Sequence, residues 1–261
     1  ATSQRLMKID ATEPTSGCNP ASMRRSMPRM KASAAARYWS AENNSVTLTG
    51  TPAKIASSMA GRPSGVPGIL IRRLGRRARA CSSYGSQVAR LLSRELARAG
   101  AVVISGLARG VDGEAHRGAL EAGGTTVAVL GCGIDRDYPA AHGQLARQIC
   151  KRGLVVSEYA PGVEPAPWRF PARNRVIAGL AAATIVVEAR ERSGALITAD
   201  FALEAGREVF AVPGEITSSL SSGTNGLLRL GATPLTSAAD VLEALGVEPA
   251  QPQDELFGEA A

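Results

Sequence analysis

Aromatic and basic side chains are concentrated in one short stretch of the sequence, "WRFPARNR" at residues 168–175. Its chemically informative members are Trp168, Arg169, Phe170, Arg173, Asn174 and Arg175. Aromatic faces stack on unpaired bases and guanidinium groups neutralise phosphates, so this combination is typical of a site for single-stranded nucleic acid. The alternative is structural, with Phe170 in the core and the arginines paired with Glu158 and Glu188.

A second group of candidates follows the apolar run "VVIS", in the sequence "GLARGVDGEAH". Gly106 and Gly110 permit a tight turn with close backbone approach, and Arg109 lies between them. Free amides at the start of the next helix, beside an arginine, would attract an anion. The spacing is not that of a dinucleotide-binding motif, and an ordinary strand-to-helix turn is the alternative. Ser193 and Gly194 precede another predicted helix and form a third candidate anion site.

The sequence contains no recognisable pairing of a catalytic nucleophile with a base. Neither His116 nor His142 lies near a serine in a strained G-x-S-x-G turn. The four cysteines form no CxxC pair, which indicates isolated thiols in a reducing compartment rather than a metal site. We therefore expect no catalytic residue, no metal and no cofactor. Glu158 and Glu188 end predicted strands, so an acid–base pair remains open as an alternative.

From residue 84 onward, short apolar runs alternate with segments of helical periodicity. The runs "AVVISG", "TTVAVLG" and "TIVVEA" are nearly continuous in apolar residues, as expected for strands buried on both faces. This alternation predicts an α/β fold with a Rossmann-like, doubly wound and mostly parallel sheet. Ligands of such folds bind beyond the carboxyl ends of the strands. All three candidate sites follow predicted strands, so we expect them at one edge of the sheet.

The N-terminal third has a different composition from the rest of the chain. Residues 1–80 hold 14 Lys/Arg against 3 Asp/Glu, whereas residues 81–261 hold 16 against 20. Six prolines interrupt residues 1–77, so we predict an atypical, irregular and poorly ordered segment there, with a basic nucleic-acid-binding tail as the alternative. The core is predicted over 78–246, followed by an acidic tail over 247–261. No run of about 20 apolar residues occurs, so we expect no membrane span.

Five stretches of the sequence together resemble one known family. They are "SGLARGVDGEAHRGAL", "GCGIDRDYP", "SEYAPGVEPAPWRFPARNRVIAGL", "VVEARERSGALITADFALEAGREVFAVPG" and "GTNGLLRLGA". From about Arg79 to Leu245 the chain resembles the DprA (Smf) family of DNA-processing proteins. The resemblance implies a cytoplasmic, Rossmann-like homodimer that binds single-stranded DNA and loads the RecA recombinase onto it during natural transformation. The family is not known for a catalytic reaction or a required cofactor.

The resemblance also implies which residues contact DNA. Carried over by motif, the positively charged pocket comprises Arg79, Arg109, Arg169, Phe170, Arg173 and Arg175, together with Asn174. Arg173 and Arg109 are expected to be exposed in one crevice and to face phosphates. Asn174 is expected to cap the helix that follows or to donate to a phosphate.

The chain departs from the family pattern just upstream of Arg79. Arg77 occupies the position of a family glycine, and "LIRRLGRR" replaces an apolar strand, so we expect the first strand of the sheet to be missing or poorly replaced. A non-functional family remnant is therefore one alternative. A Rossmann-like nucleotide hydrolase is another, although "SGALITADFALEAGR" lacks the P-G-G-x-G-T run of such enzymes.

Overall fold

The computed structural model describes residues 7–10, 45–49, 68–74, 81–191 and 193–247. Within these ranges, side chains are described for residues 68–71, 81–191 and 193–247. Arg79 and most of the predicted acidic tail lie outside the described residues. The irregular segment predicted over 1–77 also falls mainly outside them, and the parts of it that are described are strands.

Nine strands and seven α-helices make up the described fold. The strands are β1 (Met7–Asp10), β2 (Ser45–Thr49), β3 (Gly68–Leu74), β4 (Val102–Ser105), β5 (Thr126–Leu130), β6 (Leu154–Ser157), β7 (Ala183–Ala189), β8 (Glu208–Ala211) and β9 (Thr233–Pro234). The helices are α1 (Ser83–Arg98), α2 (Val111–Glu121), α3 (Gly143–Arg152), α4 (Arg169–Leu180), α5 (Gly194–Glu204), α6 (Ser222–Arg229) and α7 (Ala238–Ala244). A single 3₁₀ turn, Ala140–His142, precedes α3.

All nine strands belong to one sheet, in the order β1-β2-β6-β5-β4-β3-β7-β8-β9. Strands β3 to β9 are parallel, and β1 and β2 add an antiparallel extension beyond β6. Successive strands progress in one direction from β3 to β6, and in the other from β7 to β9. The predicted doubly wound, mostly parallel sheet is therefore confirmed. The reversal places a crevice at the carboxyl ends of the central strands.

Helices cover both faces of the sheet because the strands are apolar on both. Ile69 and Ile71 of β3 pack in the cluster that includes apolar residues of α1, α2 and α7. Leu70, between them, faces the opposite side and packs in the cluster of Ile177 from α4. All three side chains of β3 are 0% exposed. Burying each of them stabilises the fold by roughly 1.5–3 kcal/mol, so β3 contributes strongly to the core.

The expectation that the first strand of the sheet is missing or poorly replaced is wrong. Strand β3 pairs in parallel with β4 on one side and with β7 on the other, so it lies in the centre of the sheet. Its apolar half, Gly68–Ile71, precedes Arg72 and Arg73, the charged residues that argued against a buried strand. The sheet of the core thus includes residues 68–74, upstream of the predicted start at residue 78.

Helix α4 begins earlier than the sequence suggested. Asn174 was expected at the start of the helix, whereas α4 runs Arg169–Leu180. Pro171 fits within its first turn because an amide there has no partner inside the helix. The aromatic and basic residues therefore lie on a helix, which fixes their relative directions.

None of the helices in the part of the chain that the structure describes is both long and apolar enough to cross a bilayer.

Candidate nucleic-acid interface

Four loops leave the carboxyl ends of β4, β5, β6 and β7, and the described candidate residues lie in these loops or on the helices that follow them. We call this side of the sheet the carboxyl edge. The loop after β4 holds Gly106, Arg109 and Gly110, and the segment after β6 leads into α4. The loop after β7 ends at Ser193. The parallel sheet brings these loops to one side, as the sequence predicted.

The carboxylate of Asp112 fixes the shape of the β4–α2 loop. Asp112 Oδ2 accepts hydrogen bonds from the backbone amides of Gly106, at 3.2 Å, and Ala108, at 3.4 Å. A Cβ atom at Gly106 would lie 2.7 Å from that same oxygen, so only glycine fits. Asp112 thus satisfies two amides of the loop itself, and the amides at the start of α2 are a separate set. Arg109, at the tip of the loop, is exposed.

Arg173 is an interior residue, 1% exposed. Its Nη1 donates to the carbonyl oxygen of Gly106 at 2.9 Å and also to that of Val129 at the end of β5. The guanidinium therefore ties the β4–α2 loop to the neighbouring strand. The expectation that Arg173 is exposed and faces a phosphate is wrong, because the earlier start of α4 places it in the second helical turn, against the sheet.

Asn174 and Arg175 also differ from their expected roles. Asn174 is 0% exposed, and its Oδ1 accepts from Arg173 Nε at 3.4 Å. It lies inside α4, whose N-cap is Trp168, so the expectation of a capping or phosphate-binding asparagine is wrong. Arg175 Nη2 lies 2.5 Å from Glu158 Oε1, in a partly exposed ion pair. For Arg175 the structural alternative, pairing with a carboxylate, is therefore what the structure has.

A partly exposed cluster is formed by Arg169 and two aromatic rings. The guanidinium carbon of Arg169 lies 4.8 Å from the ring centroid of Trp168 and 5.3 Å from that of Tyr159. Cation–π attraction at such distances orients both rings around the charge. Arg169 also donates to the carbonyl oxygen of Glu164. Trp168 is 61% exposed, so one face of this cluster is open to a ligand.

Two tyrosines complete the aromatic surface, and the sequence reasoning missed both. Tyr138, from the loop after β5, stacks on Phe170, and Tyr159 follows β6. Each lies in a segment that follows a buried strand, as Trp168 and Phe170 do. An aromatic residue in a segment that follows a buried strand was therefore the signal that could have identified both tyrosines.

The remaining candidates lie at helix starts. Gly110 is the N-cap of α2 with φ of 89°, and a Cβ there would come within 3.2 Å of the Cys81 backbone nitrogen. Arg79 is two residues before Cys81 and outside the described residues. Ser193, 4% exposed, is the N-cap of α5, and Gly194 is the first residue of that helix. The Ser193 hydroxyl has no hydrogen-bond partner among the described residues.

The start of α1 is occupied by a carboxylate that the sequence did not place there. The Ser82 hydroxyl donates to Glu188 Oε1, and the Ser82 amide donates to Oε2 at 3.3 Å. Glu188 is 3% exposed, and its carboxylate lies directly against Gly85. The partial positive charge of the helix start favours such an anion. Glu188 therefore joins the end of β7 to α1 across the centre of the sheet.

A buried histidine on α2 contacts the amino end of β5. His116 Nδ1 is 2.7 Å from the Thr126 hydroxyl, which itself donates to the carbonyl oxygen of Val103. Nδ1 therefore carries the proton and donates to Thr126. Burial, with smaller effects from His142, Arg173 and Arg117, lowers the pKa of His116 from 6.5 to about 3. His116 is consequently a neutral core residue at physiological pH.

The fold and the carboxyl edge define the class of protein: a Rossmann-like α/β protein with arginines and aromatic rings beyond its strands, Arg109 and Trp168 being exposed. Residues 77–246, more than half of the chain, match the family model of DNA recombination-mediator protein A. The chain belongs to this family. The resemblance to DprA (Smf) proteins drawn from the sequence is thereby confirmed.

Individual relatives agree with this assignment. The chain is 48% identical over 169 residues to the DNA processing protein DprA of Streptococcus pneumoniae, covering 63% of this chain and 58% of that protein. It is 46% identical over 169 residues to Protein Smf of Escherichia coli, covering 64% and 45%. The chain thus spans about half the length of these curated relatives.

A solved structure supports the fold over a longer range. The DNA processing protein A of Helicobacter pylori, reported for its single-stranded DNA binding mode, is 27% identical with a TM-score of 0.68. The match covers 84% of this chain and 93% of that chain.

Proposed function

We propose that the core of this protein binds single-stranded DNA at its carboxyl edge and acts as a recombination mediator. The observation that carries the proposal is the cluster in which Arg169 lies between the rings of Trp168 and Tyr159. Unpaired bases offer flat faces to such rings, whereas bases inside a duplex do not. The single-stranded DNA binding reported for the Helicobacter pylori relative supports the same choice of ligand.

The candidate residues divide into contact and support roles. Arg109 and Arg169 provide charge for the phosphate track, and Trp168 and Phe170 provide surfaces for bases. Arg79 belongs to the contacts through its motif, and Ser193 and Gly194 add the start of α5 as an anion site. Gly106 and Gly110 permit the loop that presents Arg109. Arg173, Asn174 and Arg175 support the edge from within, through the contacts described above.

The biological setting is also part of the proposal. Membership of a recombination-mediator family supports a role for a cytoplasmic homodimer that loads the RecA recombinase onto the bound strand during natural transformation. No catalytic step is assigned, and no metal or cofactor is required by these roles.

A competition titration tests the choice of ligand. A labelled single-stranded oligonucleotide bound to the full chain is displaced by unlabelled single-stranded or duplex DNA of equal length. Single-stranded competitor is expected to displace the label at a much lower concentration, and the affinity to fall as salt is raised because phosphate contacts release counterions. Equal displacement by both forms, or binding that is insensitive to salt, contradicts the proposal.

A further inference from the structure

Tyr138 is the outer ring of a short stack in which Phe170 lies between Tyr138 and the backbone at Gly131. Its ring lies 5.3 Å from the ring of Phe170, centroid to centroid, with an interplanar angle of 23°. Phe170 is in turn close against Gly131, where a Cβ atom would lie 2.8 Å from Phe170 Cδ1. Phe170 is thus held between β5 and Tyr138. The stack is anchored at one end and presents Tyr138 at the other.

Tyr138 is more exposed than a residue whose only role was to cover Phe170 would need to be. The residue is 46% exposed, and it follows β5 at the same carboxyl edge as the arginine–aromatic cluster. A flat, exposed ring backed by a second ring is a surface on which another flat ring can stack. A ring stacked on Tyr138 would lie beside the proposed path of the DNA.

The charged groups around Tyr138 favour contact with a base over contact with a phosphate. Asp137 adjoins it, and Asp135 lies in the same loop. Arg136 pairs with Asp135 and with Glu164, at 3.6 Å and 3.1 Å, so its charge is shared between two carboxylates. Asp137 pairs with the exposed Arg147, at 3.7 Å. Carboxylates at this density disfavour a phosphate group but leave stacking of a neutral base unaffected.

We infer that Tyr138 is a base-binding residue: its exposed ring stacks with one nucleobase of single-stranded DNA, extending the Phe170–Tyr138 pair to three rings. The inference rests on the proposed function and adds a subsite to it. The ring face supplies the interaction, and the hydroxyl is not required. Purines offer the larger stacking area and are preferred at this subsite.

Three variants of the full chain separate stacking from other roles. Replacing the ring in Tyr138→Ala should weaken binding to a single-stranded oligonucleotide by about tenfold, within the range measured for loss of one stacked base. Tyr138→Phe keeps the ring face and should bind like the parent protein. The matched control is Leu180→Ala, which removes a 40% exposed apolar side chain at the other end of α4 and should leave affinity unchanged.

Two further measurements identify the mode of contact. The salt dependence of binding should be the same for Tyr138→Ala as for the parent protein, because a stacked base releases no counterions. Photo-crosslinking with an oligonucleotide that carries 5-iododeoxyuridine, followed by peptide mapping, should modify Tyr138. Thermal unfolding of each variant, recorded beforehand, ensures that only folded protein is compared.

The outcomes separate this inference from the proposed function. Parental affinity in folded Tyr138→Ala, while the parent protein still binds single-stranded DNA, overturns the subsite and leaves the function standing. Loss of affinity in Tyr138→Phe equal to that in Tyr138→Ala overturns the stacking role in favour of the hydroxyl. Absence of single-stranded DNA binding by the parent protein removes the proposed function itself.

Discussion

Arg109 and Arg173 both belong to the carboxyl edge, yet their surroundings are opposite. Arg109 is exposed at the tip of the β4–α2 loop, whereas Arg173 is 1% exposed and donates to the carbonyl oxygens of Gly106 and Val129. The edge therefore has two layers, which we call the supporting layer and the exposed layer. The supporting layer holds the loops in place, and the exposed layer is free to contact a ligand. Residue type alone does not reveal to which layer an arginine belongs.

The largest effect that distinguishes the layers is expected from Arg173→Ala. The free energy of unfolding should fall by about 2–6 kcal/mol, because the buried carbonyl oxygens of Gly106 and Val129 each lose their donor. Urea unfolding monitored by circular dichroism measures it. Arg109→Ala serves as the control and should change the same quantity by less than about 0.5 kcal/mol.

Arg173→Lys refines this comparison. Lysine keeps the charge but cannot reproduce the planar array of donors, so it should recover only part of the lost stability. Equal and small losses for Arg173→Ala and Arg109→Ala would contradict the division into two layers.

A second, smaller effect is a dependence of stability on pH caused by His116. Its folded-state pKa of about 3 lies below the ordinary 6.5, so the unfolded chain binds a proton that the folded protein excludes. The stability that this difference provides is fully present above pH 6.5 and is lost progressively as the pH falls towards 3. Between pH 6.5 and about pH 4.5 the loss should amount to about 2 kcal/mol.

Urea unfolding at several pH values measures that slope, and His116→Asn is the matched control. Asparagine can donate to the Thr126 hydroxyl but does not titrate, so its stability should fall less steeply over the same interval. Parallel slopes for the two proteins would show that another group is responsible.

The smallest effects are expected in the exposed layer. Arg109→Ala and Arg169→Ala should each weaken single-stranded DNA binding several-fold and reduce the logarithmic salt slope by about 0.7 for each lost phosphate contact. Their effects should add if the two arginines touch separate phosphates. Arg98→Ala, an exposed arginine in the last turn of α1, is the control at the opposite edge. A salt slope unchanged in both variants would show that neither arginine contacts a phosphate.

The central elements of the fold could be predicted because parallel strands buried on both faces are apolar throughout. Strands β4 to β8 and all seven helices follow directly from that contrast. Strand β3 was not predicted because its second half contains Arg72 and Arg73, although its first half supplies the fully buried residues Ile69–Ile71. Strand β9 is only two residues long, Thr233–Pro234, and offers no periodic signal.

The candidate site could be predicted as a position along the sheet, but not as a set of side-chain directions. Arg169, Phe170 and Arg109 lie where parallel-sheet topology requires. Arg173 lies inside α4 on the side that faces the sheet, a direction that its residue type does not reveal. Contacts between distant segments, such as Tyr138 with Phe170, depend on spatial neighbours that the sequence does not place together.

The central position of β3 has a consequence for how the chain must fold. Leu70 pairs with Ile104 on one side and with Thr184, far along the chain, on the other. Until β3 is inserted, β4 and β7 each expose an edge with unpaired backbone groups, which is the condition for mispairing with other chains. Pairing between strands far apart in the sequence slows folding, since the distant segments must meet before their contacts stabilise the sheet. A fragment that begins near residue 80 would retain every site residue in the described helices and still be prone to aggregate.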